Sequence, residues 1–98
     1  MNQFINLKKY IEMGEYEPQV LSQFEEFNKL SPHLQWELVR QAIKNRWVIL
    51  QLRWADTANQ LDYSKKPHLK ETQKGIQRQM KQLQLDEERL DLYYSKLV

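Results

Sequence analysis

The sequence predicts an all-α protein with two short N-terminal helices packed on a long antiparallel helical hairpin. The composition favours helices over sheet, because Gln, Lys, Glu and Leu dominate and the 98 residues include only two glycines and three prolines. No Gly or Pro follows Pro32 before Tyr63, which allows one long helix. Near the C terminus, apolar residues recur at a spacing of seven, as in helices packed along their length.

Two short helices are predicted at the start of the chain, over residues 2–13 and 18–30. Gly14 is expected to end the first helix, since glycine readily adopts the left-handed conformation that follows many helices. Pro18 is expected to begin the second, because the first helical position needs no N–H donor. Helices this short are marginal alone in water, so both are expected to dock on the rest of a single domain, residues 1–98.

A long helix is predicted over residues 32–62, with Ser31 as its capping residue and Pro32 at its first position. Apolar residues occupy two sides of it, which is typical of a helix buried between neighbours. The first row is Trp36, Ile43, Trp47, Leu50, Trp54 and Leu61, and the second is Leu38, Ala42, Ile49 and Leu52. A core role is favoured for the tryptophans over stacking on bases, with Trp54 as the exception, because it lies toward the turn, where the two short N-terminal helices are not expected to reach. The sequence leaves open whether polar residues in 55–59 break this helix in two.

The last helix is predicted over residues 66–97. Its core positions are Leu69, Ile76, Met80, Leu83, Leu90, Tyr94 and Leu97. A turn near residue 65 makes an antiparallel hairpin in which position 47 faces 83 and position 40 faces 90.

The same pairing is expected to bring opposite charges together along the hairpin. Arg40 and Lys44 are predicted to lie opposite the acidic residues of 86–91. Nearer the turn, carboxylates of the long helix are predicted to lie near lysines of the last helix; these residues are Asp56, Asp62, Lys70 and Lys74.

The residue types argue against an enzyme and against a bound cofactor or metal ion. The chain has no cysteine, no glycine-rich phosphate loop and no recognisable nucleophile motif, so no catalytic residue is assigned. His33 and His68 are predicted near opposite ends of a hairpin arm, too far apart to share a metal ion. The acidic cluster Asp86, Glu87, Glu88 and Asp91 lacks the spacing of a calcium loop or a two-helix carboxylate site.

The chain is expected to be cytoplasmic and not bound to a membrane. Its N-terminal stretch lacks the long apolar segment of a signal peptide. The longest uninterrupted apolar run covers residues 47–50, far short of the roughly 20 residues that span a bilayer.

The lengths of the predicted helices favour an interaction protein that binds itself, a protein partner, or both. Two helices of about 18 Å cannot cover both faces of a hairpin about 45 Å long. Apolar side chains left over are expected to mark a partner surface, for which a second copy forming a homodimer is the simplest occupant. The alternative is a compact four-helix monomer in which a bent long helix folds back and buries these side chains. The predicted anchors of this interface are Leu38, Ile49, Leu52, Leu85 and Leu92.

Nucleic-acid binding is the leading alternative, because basic residues cluster on one face of the last helix. These residues are Lys65, Lys66, Lys70, Lys74, Arg78 and Lys81. Glu71 is the only acidic residue among them, so the row has the charge needed to follow a phosphate backbone. One competing interpretation is an ordinary solvated helix face, which the low net charge of +2 favours. The other is a docking surface for the acidic N-terminal region, whose residues are Glu12, Glu15, Glu17, Glu25 and Glu26.

The segment LSPHLQWELVRQAIKNRWVILQLRWAD, followed by the lysine-bearing YSKKPH, resembles small helical proteins carried by prophages and other mobile elements of Gram-positive bacteria. The resemblance implies a short accessory protein that acts by binding. Small size, a basic pI and a helical bundle also resemble bacteriocin immunity proteins, which gives a lower-ranked alternative.

Overall fold

The computed structural model describes residues 6–63 and 68–97, apart from the side chains of 61–63, and within that range it contains helices and no strand. The helices are α1 (Leu7–Glu12), α2 (Pro18–Leu21), α3 (Glu25–Asn28), α4 (Pro32–Tyr63) and α5 (His68–Ser95). α4 and α5 pack against each other. The predicted all-α class and the long helical hairpin are therefore confirmed.

Helix α1 is bounded by capping interactions at both ends. The Asn6 side chain accepts a hydrogen bond from the Lys9 N–H at 2.9 Å and caps the helix that begins at Leu7; residues 2–5 of the predicted helix lie outside the described residues. After the helix, the N–H groups of Gly14 and Glu15 donate back into its last turn. Gly14 has φ +100°, so the predicted left-handed glycine is confirmed.

The single helix predicted over 18–30 is wrong, because the structure has two one-turn helices there. Pro18 begins α2 as expected, but the chain becomes extended at Phe24, with φ −94° and ψ 122°. The Asn28 side chain donates to the Ser22 carbonyl at 2.6 Å and ties the two turns together. This break lets Leu21 and Phe27 both be buried, at 0% and 1% exposure.

Helix α4 is continuous through 55–59. The Thr57 hydroxyl donates to the Arg53 carbonyl at 2.8 Å, within the helix. The Gln60 amide likewise donates to the Asp56 carboxylate at 3.0 Å. These polar side chains bond along the helix instead of interrupting it.

One hydrophobic core joins the N-terminal segment, which is residues 6–31 with α1, α2 and α3, to the hairpin of α4 and α5. Its buried members are Leu7, Ile11, Tyr16, Leu21, Phe27, Val39, Ile43, Leu50, Ile76, Leu83, Leu90 and Tyr94. Val39 is fully buried although neither predicted row contained it. Leu97, predicted as a core position, is instead 49% exposed because α5 ends at Ser95. Leu61 lies outside the described side chains.

The register of the hairpin follows the predicted pairing. The rings of Trp36 and Tyr94 stack with centroids 5.5 Å apart, as expected for a turn near residue 65. The Arg46 guanidinium on α4 donates a hydrogen bond to the Gln79 side chain on α5 at 3.5 Å.

The predicted ion pairs between the two arms are not found among the described side chains. Arg40 contacts Glu37 at 3.8 Å, and Lys74 contacts Glu71 at 3.7 Å, each within its own helix. An ion pair between residues spaced three apart on one helix needs little ordering of the two side chains. An exposed ion pair between the two helices would order longer stretches of side chain for a similarly small gain, so the pairs within one helix are favoured. The side chain of Asp62, which belonged to one predicted pair, lies outside the described residues.

Candidate functional site

The N-terminal segment lies against one flank of the hairpin. The Gln35 amide donates to the carbonyls of Phe27 and Leu30, at 3.0 and 3.2 Å. Arg89 on α5 forms an ion pair with Glu17 at 2.7 Å. At about 100° per residue, Gln35 and Arg89 lie on the same flank of the two-helix layer.

The opposite flank is an open groove between α4 and α5, which we call the tryptophan groove. Three cavities of about 410, 520 and 310 Å³ follow one another along it. Each is lined by one tryptophan: Trp36 beside Tyr94, Trp47 beside Leu83, and Trp54 beside Met80.

Trp36 and Trp47 pack on the core and Trp54 differs from them, as predicted. Trp36 and Trp47 are half-buried, whereas Trp54 is 36% exposed. Around the axis of α4, all three tryptophans lie on the groove side of the buried residues Ile43 and Leu50. Two helices cannot enclose indole rings on that side without a third layer, so each ring keeps one surface in the groove.

Tyr94 places a buried polar atom at the end of the tryptophan groove. The residue is 2% exposed, and its hydroxyl has no hydrogen-bond partner among the described residues. Burial, with a smaller contribution from neighbouring Tyr93, raises the pKa of Tyr94 to about 12. The hydroxyl therefore stays neutral and is no candidate for proton transfer near neutral pH.

The two rims of the tryptophan groove carry opposite charges. Arg40 and Lys44 lie on the α4 rim beside Glu37, which pairs with Arg40 at 3.8 Å and leaves this rim with a net positive charge, and Glu87 and Asp91 lie on the α5 rim. Lys44 and Glu87 line the middle cavity together, although no ion pair joins them. The groove thus has an aromatic floor between a basic and an acidic edge.

A second apolar surface lies on α4, on the side facing away from α5, and we call it the α4 outer face. Its exposed residues are Leu34, Leu38, Gln41, Asn45, Val48, Ile49 and Leu52. None of them is charged, and the apolar members are between 37% and 66% exposed. The Gln41 amide donates to the Asn45 side chain at 3.1 Å in the middle of this face.

The outward side of α5 is mixed in character. Lys70, Lys74, Arg78 and Lys81 are all exposed on it, followed by Leu85 and Leu92 at 49% and 64% exposure. Lys65 and Lys66, predicted to extend the basic row, lie outside the described residues.

The predicted interface anchors are all exposed, but they do not form one surface. Leu38, Ile49 and Leu52 lie on the α4 outer face, whereas Leu85 and Leu92 lie on the opposite side of the hairpin. Their role in binding stays a prediction. The tryptophan groove was not predicted, because it depends on which flank the N-terminal segment covers.

Among the described residues, no three His, Asp or Glu side chains come together in a way that could hold a metal ion. His33 shares a cavity with Asp91 at one end of the groove, and His68 begins α5 at the far end of the hairpin. Nor is any helix in the described part of the chain long and apolar enough to cross a membrane.

The chain matches no known protein-family model, and neither a curated protein nor a solved structure shows significant similarity to it. The resemblance to prophage and mobile-element proteins therefore stays a prediction.

Proposed function

We propose that this protein acts without catalysis, by binding a protein partner through the α4 outer face. The observation that carries the proposal is the uncharged, largely apolar character of a helix face that points away from the core. Leu38, Ile49 and Leu52 are its central anchors.

The placement of charge on α4 supports this proposal. A helix on the surface of a globular protein normally carries its charged residues opposite its core side. On α4 the charged residues between positions 34 and 52 are Glu37, Arg40, Lys44 and Arg46, and they lie on the flanks. Exposed apolar patches bordered by polar residues are typical of interaction surfaces.

The spacing on the α4 outer face fits a helical partner. Leu34, Leu38, Gln41, Asn45, Val48 and Leu52 alternate steps of four and three, as in a coiled-coil seam. An amphipathic helix laid along this seam would meet anchors at the spacing used in helix recognition. Asn45 is the kind of central polar residue that fixes register in such a seam.

A photo-crosslinking experiment in intact cells tests the proposal. A photoreactive residue at position 49 is expected to give a defined protein adduct, and the same residue at position 81 on α5 is not. Adding Leu38→Asp with Leu52→Asp is expected to abolish the adduct, because two carboxylates would have to be buried against the partner. Identical adducts from both positions, or none from position 49, would contradict the proposal.

Nucleic-acid binding through α5 is the second candidate function. It is favoured by one observation: Lys70, Lys74, Arg78 and Lys81 are exposed on one side, and only Lys74 has an ion-pair partner among the described side chains. Such a row is free to contact phosphates.

Fluorescence anisotropy with labelled duplex and single-stranded DNA tests this second candidate. If α5 binds phosphates, log affinity should fall linearly with log salt, and Lys70→Glu with Lys74→Glu should abolish binding. Ile49→Asp with Leu52→Asp serves as the matched control and should bind DNA like the wild type. Weak binding that disappears on modest salt addition leaves the row as solvated surface.

A further inference from the structure

We propose that the tryptophan groove is covered by the tryptophan groove of a second copy of this chain, related by a two-fold axis parallel to the hairpin. The inference rests on the proposed function, in that it makes the chain a protein-interaction module. It names a second copy as one partner and uses a surface that borders the α4 outer face at Val48, which also lines the middle cavity.

The groove has the extent and chemistry of an interface between helical layers. Trp36, Trp47 and Trp54 place indole rings over a length of about 27 Å along α4. Aromatic residues are enriched at the buried centres of protein interfaces. The N-terminal segment already lies against the other flank at Gln35 and Arg89, so a layer added on this flank would bury the groove without displacing it.

The charges on the rims select a second copy in one orientation. A two-fold axis parallel to the helices places each α4 across from the partner's α5 and keeps every residue at its own level along the hairpin. Residues 40 and 44 lie level with about 90 and 86, the register that the Trp36–Tyr94 stack fixes. Arg40 and Lys44 therefore meet the partner's Asp91 and the partner's Glu87.

The other face-to-face arrangement is unfavourable. A two-fold axis perpendicular to the helices, in the plane between the layers, places α4 on α4 and α5 on α5. Arg40 and Lys44 would then approach a second basic rim, and the acidic rims would approach each other. Like charges placed together across an interface oppose association. The favourable arrangement is an antiparallel four-helix bundle whose N-terminal segments and α4 outer faces remain on its outside.

Sedimentation equilibrium of rim variants at low salt tests this dimer. The wild type is expected at twice its chain mass of 12.0 kDa. An acidic-rim variant, Arg40→Glu with Lys44→Glu, should weaken the dimer about tenfold or more, because both pairs of facing rims become acidic. A basic-rim variant, Glu87→Lys with Asp91→Lys, should weaken it in the same way.

Mixing the variants separates contacts between copies from contacts within one chain. An equimolar mixture of the acidic-rim and basic-rim variants should dimerise, whereas each alone should be largely monomeric, because only the mixture has complementary rims. A chain carrying all four substitutions should dimerise with an affinity within about threefold of the wild type, because every facing pair is again opposite in charge. Far-ultraviolet circular dichroism on each variant establishes that it is folded.

Three results would overturn the dimer. The first is a folded wild type that remains monomeric at about 200 µM, a concentration at which a micromolar dimer is formed. The second is an acidic-rim variant as dimeric as the wild type. The third is loss of the dimer in the control Ile49→Asp with Leu52→Asp, which leaves the groove intact. The crosslink from position 49 is measured separately, so a monomeric wild type that still forms it retains the proposed function.

Discussion

Tyr94 joins two features that rarely occur together, an almost complete burial and a hydroxyl group with no hydrogen-bond partner among the described residues. A buried hydroxyl without a partner loses its hydrogen bonds to water and gains nothing in return. Its ring, by contrast, contributes the stack with Trp36 that closes the open end of the hairpin. The aromatic ring and the hydroxyl of this residue thus have opposite effects on stability.

Replacing Tyr94 with Phe should therefore leave the protein as stable as before or stabilise it by up to about 1 kcal/mol, measured by urea unfolding at pH 7. Tyr93→Phe is the matched control, because Tyr93 is 45% exposed. A loss of more than about 1 kcal/mol in Tyr94→Phe would mean that the hydroxyl has a partner.

The same substitution should change how stability depends on alkaline pH. The pKa of Tyr94 is raised to about 12 in the folded state, so between pH 10 and 12 the unfolded chain releases this proton first. Stability is full below pH 10 and falls as pH rises through that window, by about 1 kcal/mol at pH 11. The wild type should lose that much more than Tyr94→Phe between pH 9 and pH 11.

At the scale of the element, the end of α1 depends on a backbone conformation and not on packing. Gly14 has φ +100°, and a side chain added there would meet nothing within 4 Å. The hydrogen bonds from Gly14 and Glu15 back to Ile11 and Tyr10 need that conformation.

Gly14→Ala should therefore destabilise the protein by about 1 kcal/mol through backbone strain alone, since an L residue at this φ is disfavoured even where space is free. Urea unfolding monitored by circular dichroism measures the change. Gly75→Ala is the matched control, because Gly75 lies inside α5 with no positive φ, and it should stabilise the helix. Equal effects at both glycines would contradict the argument.

The elements that the sequence predicts well are those whose signal is local and repeated. Leu69, Ile76, Leu83 and Leu90 recur on one face of α5, and all four are buried. The break at Phe24 has no such signal, because no Gly or Pro marks it. It arises from the burial of Leu21 and Phe27 against the rest of the core, which periodicity within the segment does not reveal.

At the scale of the whole molecule, the lengths of the predicted helices were enough to predict that part of the hairpin stays uncovered. They did not reveal where on the hairpin the uncovered apolar surfaces lie. The predicted anchors are exposed, as expected when short helices meet a long hairpin. The anchors lie on two faces because α4 and α5 each bury one side against the other helix. The anchors of each helix are on its outward side, and the two outward sides are on opposite sides of the hairpin. The tryptophan groove depends further on the N-terminal segment choosing the flank of Gln35 and Arg89.

The position of the α4 outer face, directly opposite the α5 side of the helix, has a consequence for valency. In a dimer closed over the tryptophan groove, the two copies of this face point in opposite directions. One partner molecule with a short linker between two docking helices cannot reach both. A partner that is itself dimeric can instead bridge successive dimers, so binding would build chains whose length depends on the ratio of the two proteins.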